Sequence, residues 1–230
     1  MEPDTNSPEK NMIIPLFPLP TSVFFPNTFL PLHIFEPRYR SMVADALNEE
    51  REIGMILLKP GWKIDYQDTP KIMTIGCAGK ISNYSKLPEG KYNILLSGLY
   101  RFRILHEVKG KLYRQAQVKL LKEVNNQDLT TEPSPIKEKL TKIMRIYLKN
   151  FPEGTKIEEL LSLKNCKGLA EFVDKLTYQF DLPVSKMQEF LEQQDVQKRA
   201  DSLHTLIQFK NQLARISKNM KDREVNFSMN

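Results

Sequence analysis

Residues 13–42 read IIPLFPLPTSVFFPNTFLPLHIFEPRYRSM, with Pro15, Pro18, Pro20, Pro26, Pro31 and Pro37 set among Ile, Leu, Phe and Val. Proline lacks an amide donor and fixes φ, so a sheet accepts it at strand ends, edges and turns. Disordered proline-rich segments lack such apolar partners. The stretch therefore predicts short apolar strands broken by rigid turns, with a helix at its end.

The whole chain has 230 residues, room for one large domain or two small ones. Its 40% hydrophobic and 27% charged content is that of a soluble globular protein. The net charge of +6 is spread over both halves, and no dense Lys/Arg cluster marks a nucleic-acid footprint. Cys77 and Cys166 are the only cysteines, too few for a disulfide framework or a four-thiolate zinc site. His33, His106 and His204 are scattered without metal-ligand spacing, so no metal or cofactor is expected. The first twelve residues, MEPDTNSPEKNM, lack the basic start and apolar run of a signal peptide. No apolar stretch has the length to span a bilayer. The expected setting is the cytoplasm, with no membrane partner.

Residues 1–11 read as a disordered tail and 12–124 as a β-rich subdomain. Strand candidates are Met12–Phe17, Phe29–Phe35, Met55–Leu58, 71–84, and two runs parted by Gly98, KYNILLSG and YRFRILHEV. A further strand follows the Lys109-Gly110-Lys111 turn, where Ala116, Val118 and Leu120 alternate with polar residues. Pro37 suits the first position of a helix whose buried face is Tyr39, Met42, Val43, Ala46 and Leu47. Gly76 and Gly79 predict a bulge or a close backbone approach. Hairpin-type turns between these strands predict a mostly antiparallel, barrel-like sheet with one crossing helix.

NNQDLTTEPSP, at 125–135, reads as a linker, bounded at 125–134. A helical subdomain is expected over 135–220 and a frayed tail over 221–230. Ile136, Leu140, Ile143, Met144 and Tyr147 mark a first helix, ending near Pro152-Glu153-Gly154. Leu169, Phe172, Val173, Leu176 and Phe180 mark a second. Ser185 with Gln188 has the spacing of a capping box. Asp195 is placed to cap a long last helix carried by Leu203, Leu206, Ile207, Leu213 and Ile216.

These landmarks together resemble the LON domain, the N-terminal substrate-recognition domain of Lon proteases. The resemblance runs through LFPLP at 16–20, FFPNTFLPLHIFEPRYRSM at 24–42, GMILL at 54–58 and IGCAGKI at 75–81. It continues through LPEGKYNILLSGLYRFRI at 87–104, YRQAQVKLL at 113–121 and the helical stretch 169–207. Two positions depart from the family pattern. Asn27 stands where glycine is usual, and asparagine tolerates positive φ best among the alternatives. Gly76-Cys77 replaces Gly-Thr, a packing variation rather than a reactive thiol. The resemblance implies an α+β fold: a PUA-like β pseudobarrel with one crossing helix, then a helical bundle with a long last helix. The ATPase and peptidase modules of a full Lon protease find no counterpart. No Gly-x-x-x-x-Gly-Lys-Ser/Thr loop occurs, and the nearest stretch, Glu153-Gly154-Thr155-Lys156, lacks the glycine pair. The expectation is a stand-alone LON-domain protein without ATPase or peptidase activity.

No catalytic constellation emerges. Glu36, Arg38 and Tyr39 with Arg101 and Arg103 are candidates for a ligand-binding or structural cluster. An acid at 36 also suits a helix start by itself. Arg101 and Arg103 alternate with aromatics, a pattern that can stack RNA bases or simply line the polar face of a strand. Phe24, Phe25, Pro26 and Asn27 are the candidate polypeptide-binding site. One ring is exposed in that arrangement, and both are buried in the simpler one. Phe209 falls off the apolar stripe of the last helix and is expected to be exposed unless covered. The expected partners are apolar polypeptide segments or a larger protein, with a weak homodimer through Phe209 and, as the alternative, RNA.

Overall fold

The computed structural model describes residues 12–63, 69–131, 133–150, 163–180 and 182–228. The expected tail at 1–11, the helix stop at Pro152-Glu153-Gly154 and the stretch 153–156 lie outside them. The elements are β1 (Met12–Leu19), β2 (Phe29–Ile34), α1 (Pro37–Asn48), β3 (Glu52–Leu57), β4 (Ile75–Lys86), β5 (Tyr92–Val108) and β6 (Gln115–Leu120). They continue with α2 (Pro135–Asn150), α3 (Leu169–Tyr178), α4 (Val184–Glu192) and α5 (Val196–Ser228). The chain forms two compact units. One is built from the chain up to Lys122 together with Phe180–Gln194, the other from Glu123–Gln179 and Asp195 onward. Helix α4 therefore folds with the β unit, which corrects the expected division at the linker.

In the first unit the strands form one mixed sheet in the order β2-β5-β4-β3-β1-β6. β5 also pairs with β6, which closes the run from β5 to β6 on itself. β1 and β3 are parallel; the other pairings are antiparallel. The proline-rich start is accommodated as its chemistry requires, with Pro31 on the edge strand β2 and Pro37 opening α1. Inside the closed sheet, Ile14, Leu16, Ile56, Ala78, Phe102, Ala116 and Val118 pack as one buried cluster.

Gly98 does not separate two strands, as expected, but sits inside the 17-residue β5. A side chain there would run into the carbonyl of Phe25. Instead the Gly98 amide donates to the Thr28 carbonyl at 2.9 Å, and the Asn27 amide donates to the Gly98 carbonyl at 3.0 Å. Asn27 adopts φ 60°, the conformation that lets asparagine stand in for glycine. Gly76 and Gly79 meet the expectation of close approach: a Cβ would strike the Met55 carbonyl at the first and the Phe24 ring at the second. Leu120 breaks the expected alternation and is exposed.

Helix α4 is tied to this sheet by two buried side chains. Gln188 Nε2 donates to the Ile75 carbonyl at 3.0 Å, and Arg101 Nε donates to the Leu191 carbonyl at 2.9 Å. The expected capping box does not form. The helix opens at Val184 after Pro183, so Ser185 lies inside it and Gln188 is used on the sheet.

The second unit contains α2, α3 and α5. Ile136, Leu140 and Met144 are buried on α2, and Leu169, Phe172, Val173 and Leu176 on α3. Arg199 of α5 is fully buried, with Asp174 at 3.3 Å and Glu123 at 2.8 Å. The stretch expected to be a linker is structured. The Leu129 amide donates to the Lys167 carbonyl and the Leu169 amide to the Gln127 carbonyl. Asn126 Oδ1 accepts from the Ala170 amide at 2.9 Å, and so caps α3, whose own N-cap is Gly168. Asp195 caps α5 as expected, accepting from the Lys198 amide at 3.1 Å. α5 then runs for 33 residues to Ser228, through most of the stretch expected to fray.

Candidate functional site

The first unit carries an open groove of about 870 Å³ beside the start of α1. Phe17 and Tyr39 meet in it with ring centroids 4.3 Å apart. Phe35, Trp62 and Leu112 also line it. Phe35 is 58% exposed and Leu112 81% exposed, large apolar side chains that the fold itself leaves uncovered. The sequence explains Phe35: it continues the alternation Phe29, Pro31, His33 on the outer face of β2, opposite Leu30, Leu32 and Ile34. Leu112 sits in the turn between β5 and β6, where no strand period places it.

Ion pairs border this surface. Arg38 bridges Glu36 at 2.9 Å and lies 4.7 Å from the centre of the Tyr39 ring. Arg114 grips both carboxylate oxygens of Glu107, at 2.8 and 2.6 Å, and donates to the Pro70 carbonyl. Lys111 and the Tyr113 hydroxyl both donate to Asp45 Oδ2, at 2.9 and 2.8 Å. The hydrogen bond from Lys111, followed by that from Tyr113, holds the Asp45 carboxyl below its ordinary range, while burial pushes the Tyr113 hydroxyl up. With these three carboxylates neutralised by cations, the groove offers apolar surface framed by satisfied charge. Among the described residues its lining contains no serine or cysteine. His33, also in the lining, shares a 2.7 Å hydrogen bond with Asn93 and stacks on Phe35.

The structure brings Glu36, Arg38 and Tyr39 together at this groove and leaves Arg101 and Arg103 out of it. Arg101 is buried, 5.9 Å from the Phe25 ring, and holds α4, so it presents nothing to a ligand. Arg103 is exposed on β5, opposite Lys119 of β6. Glu36 occupies the N-cap of α1, but its carboxylate binds Arg38 rather than a backbone amide. Phe24 and Phe25 are both buried, so the candidate polypeptide-binding patch at Phe24, Phe25, Pro26 and Asn27 exposes neither ring. These residues lie outside a strand, where side-chain alternation does not apply. Phe209 is 56% exposed, as expected. Cys77 and Cys166 are both buried thiols, and burial pushes the Cys166 thiol up. Among the described residues no group of His, Cys, Asp and Glu has the arrangement of a metal site, and no helix is long and apolar enough to cross a membrane.

Residues 13–208 match the family described as the ATP-dependent protease La (LON) substrate-binding domain. Similar curated proteins include a Lon protease of Anaeromyxobacter dehalogenans, 25% identical over 89% of this chain and 24% of its own length. Another is a Lon protease of Trichlorobacter lovleyi, 28% identical over 85% of this chain and 24% of its own length. The chain thus spans about a quarter of the length of these relatives. Among solved structures, the N-terminal domain of a Mycobacterium avium complex Lon protease aligns with a TM-score of 0.63 at 15% identity, covering 86% of this chain and 98% of that one. A Lon N-terminal domain protein from Xanthomonas campestris aligns with a TM-score of 0.59 at 20% identity, covering 84% and 96%. The fold is that of the Lon N-terminal domain, and the chain belongs to the LON substrate-binding domain family.

Proposed function

We propose that this protein recognises polypeptides without chemically altering them, by holding an apolar segment of an unfolded chain in the groove beside α1. The observation that carries the reading is the uncovered pair Phe35 and Leu112 facing one groove with Trp62. Each is a large side chain whose burial is worth roughly 1.5–3 kcal/mol, a reward collected only when something else covers it. Family membership supports a polypeptide as that occupant. The paired charges at the rim suit a segment with few charges of its own. RNA fits less well, because Arg101, one of the two arginines read as a base platform, is buried.

The test uses a permanently unfolded, labelled polypeptide such as reduced and carboxymethylated lactalbumin. The intact protein is expected to bind it with little dependence on salt. Phe35→Ser with Leu112→Ser is expected to weaken binding by about tenfold or more, which corresponds to roughly 1.4 kcal/mol. Both residues are exposed, so thermal melting is expected to stay unchanged. Binding that ignores both substitutions refutes the groove. A polynucleotide affinity that falls steeply with salt supports the RNA reading instead.

A further inference from the structure

A second, shallower hollow of about 350 Å³ lies beside the groove in the β unit. Thr69, Pro70, Glu107 and Arg114 line both, so the two share a wall. Leu58 and Ile72 form an antiparallel bridge just after β3, and the Lys59 amide donates to the Lys71 carbonyl at 2.8 Å. That register sets Lys59 directly opposite Lys71, with both side chains on one face. Both are exposed, and both line the hollow. Like charges placed directly opposite each other on adjacent strands are destabilising.

Nothing in the hollow offsets that repulsion. Glu107 is the one acidic residue among its described lining, and Arg114 already holds both of its carboxylate oxygens. The groove next door is the contrast: Arg38, Lys111 and Arg114 each meet a carboxylate there. His106 and Thr74 also line the hollow and bring groups able to donate hydrogen bonds. A cleft lined by one sign of charge draws the opposite sign. The missing charge is therefore anionic, and the shared wall indicates where it comes from. We propose that this hollow receives an acidic side chain, carboxylate or phosphoryl, on the flank of the polypeptide whose apolar segment lies in the groove. The inference rests on the groove reading and adds a specificity to it: the preferred segment is an apolar run with an anionic flank. A phosphoserine, with about two negative charges, suits the paired lysines as well as neighbouring Asp or Glu residues do.

The probes are labelled peptides that share one run of Leu, Phe and Val and differ only in a short flank, made with Glu, phosphoserine, Gln or Lys. The intact protein is expected to bind the Glu and phosphoserine forms at least about fivefold tighter than the Gln form, with the preference shrinking as salt screens it. Lys59→Gln with Lys71→Gln is expected to erase the preference and leave the Gln form bound as before. Lys71→Glu is expected to shift the preference toward the Lys form. These side chains are exposed, so the melting curves are expected to hold. Phe35→Ser with Leu112→Ser is expected to weaken all four forms alike while the ratio between them survives. Equal affinity for the Glu and Gln forms, with the groove variant still weakening both, overturns this inference and leaves the groove standing. Binding of every form that ignores the groove variant overturns the groove reading and this inference with it. A preference that Lys80→Gln with Lys86→Gln erases just as well reports overall charge and overturns the hollow as its site. The ratio of the phosphoserine form to the Glu form then names the anion that the hollow prefers.

Discussion

Asp45 ties α1 to the turn that carries Leu112, through hydrogen bonds from Lys111 and Tyr113. Its carboxyl is held below the ordinary range, first by Lys111 and then by Tyr113. A carboxylate more acidic in the folded than in the unfolded chain stabilises the fold above its unfolded pKa, and that contribution disappears as pH falls through the folded value. Asp45→Asn is therefore expected to lower the urea midpoint at neutral pH. The gap from wild type is expected to close in acid, below the ordinary aspartate range. A gap of constant size from neutral pH to acid removes the ionised carboxylate from the account. Nothing in the sequence announces this staple, because its members are more than sixty residues apart. Other residue-scale features were legible because their cause is local. Asn27 at positive φ follows from its short polar side chain, and Gly76 from the need for close approach. The burial of both Phe24 and Phe25 follows instead from the room left at Gly79 and Gly98, on strands β4 and β5 far along the sequence.

At the scale of elements, hydrophobic period identified α1, α3 and the start of α5, and turn chemistry identified the breaks around β4. Period alone says that a segment is a helix with an apolar face; it does not say what that face meets. For that reason α4 read as part of the helical half, although Gln188 and the Leu191 carbonyl attach it to β4 and β5. The stretch 125–134 read as a linker for a related reason: its polar residues act on a distant helix start. Asn126 supplies the cap that Gly168 cannot, since glycine has no side-chain acceptor. Asn126→Ala is expected to cost about 1 kcal/mol, the usual worth of a lost side-chain N-cap. Asn126→Asp is expected to keep most of that stability, because a carboxylate also accepts from the Ala170 amide and suits a helix N-terminus. Equal loss in both variants, read from urea unfolding, places the role of Asn126 elsewhere.

At the scale of the whole molecule, the chain passes between its units three times, at residues 122–123, 179–180 and 194–195. The β unit is consequently discontinuous in sequence. A fragment ending at residue 124 holds every strand but lacks α4 and its buried Phe190 and Leu191. Burial of those two side chains is worth roughly 3–6 kcal/mol together. Arg101 also loses the carbonyl that meets its guanidinium, and Gln188 no longer satisfies the Ile75 carbonyl. A domain's net stability is only about 5–15 kcal/mol, so these losses consume much or all of it. The fragment 12–124 is expected to unfold at far lower urea than the intact chain, or to aggregate when expressed alone. A synthetic peptide covering 180–194, added in excess, is expected to raise its midpoint, because it binds only the folded sheet. Arg101→Met in the intact chain is expected to lower stability by about 1.5–3 kcal/mol, the scale of a hydrogen bond from a charged donor. A fragment that unfolds cooperatively at the midpoint of the whole chain, and ignores the peptide, makes α4 an accessory to a β unit that stands by itself.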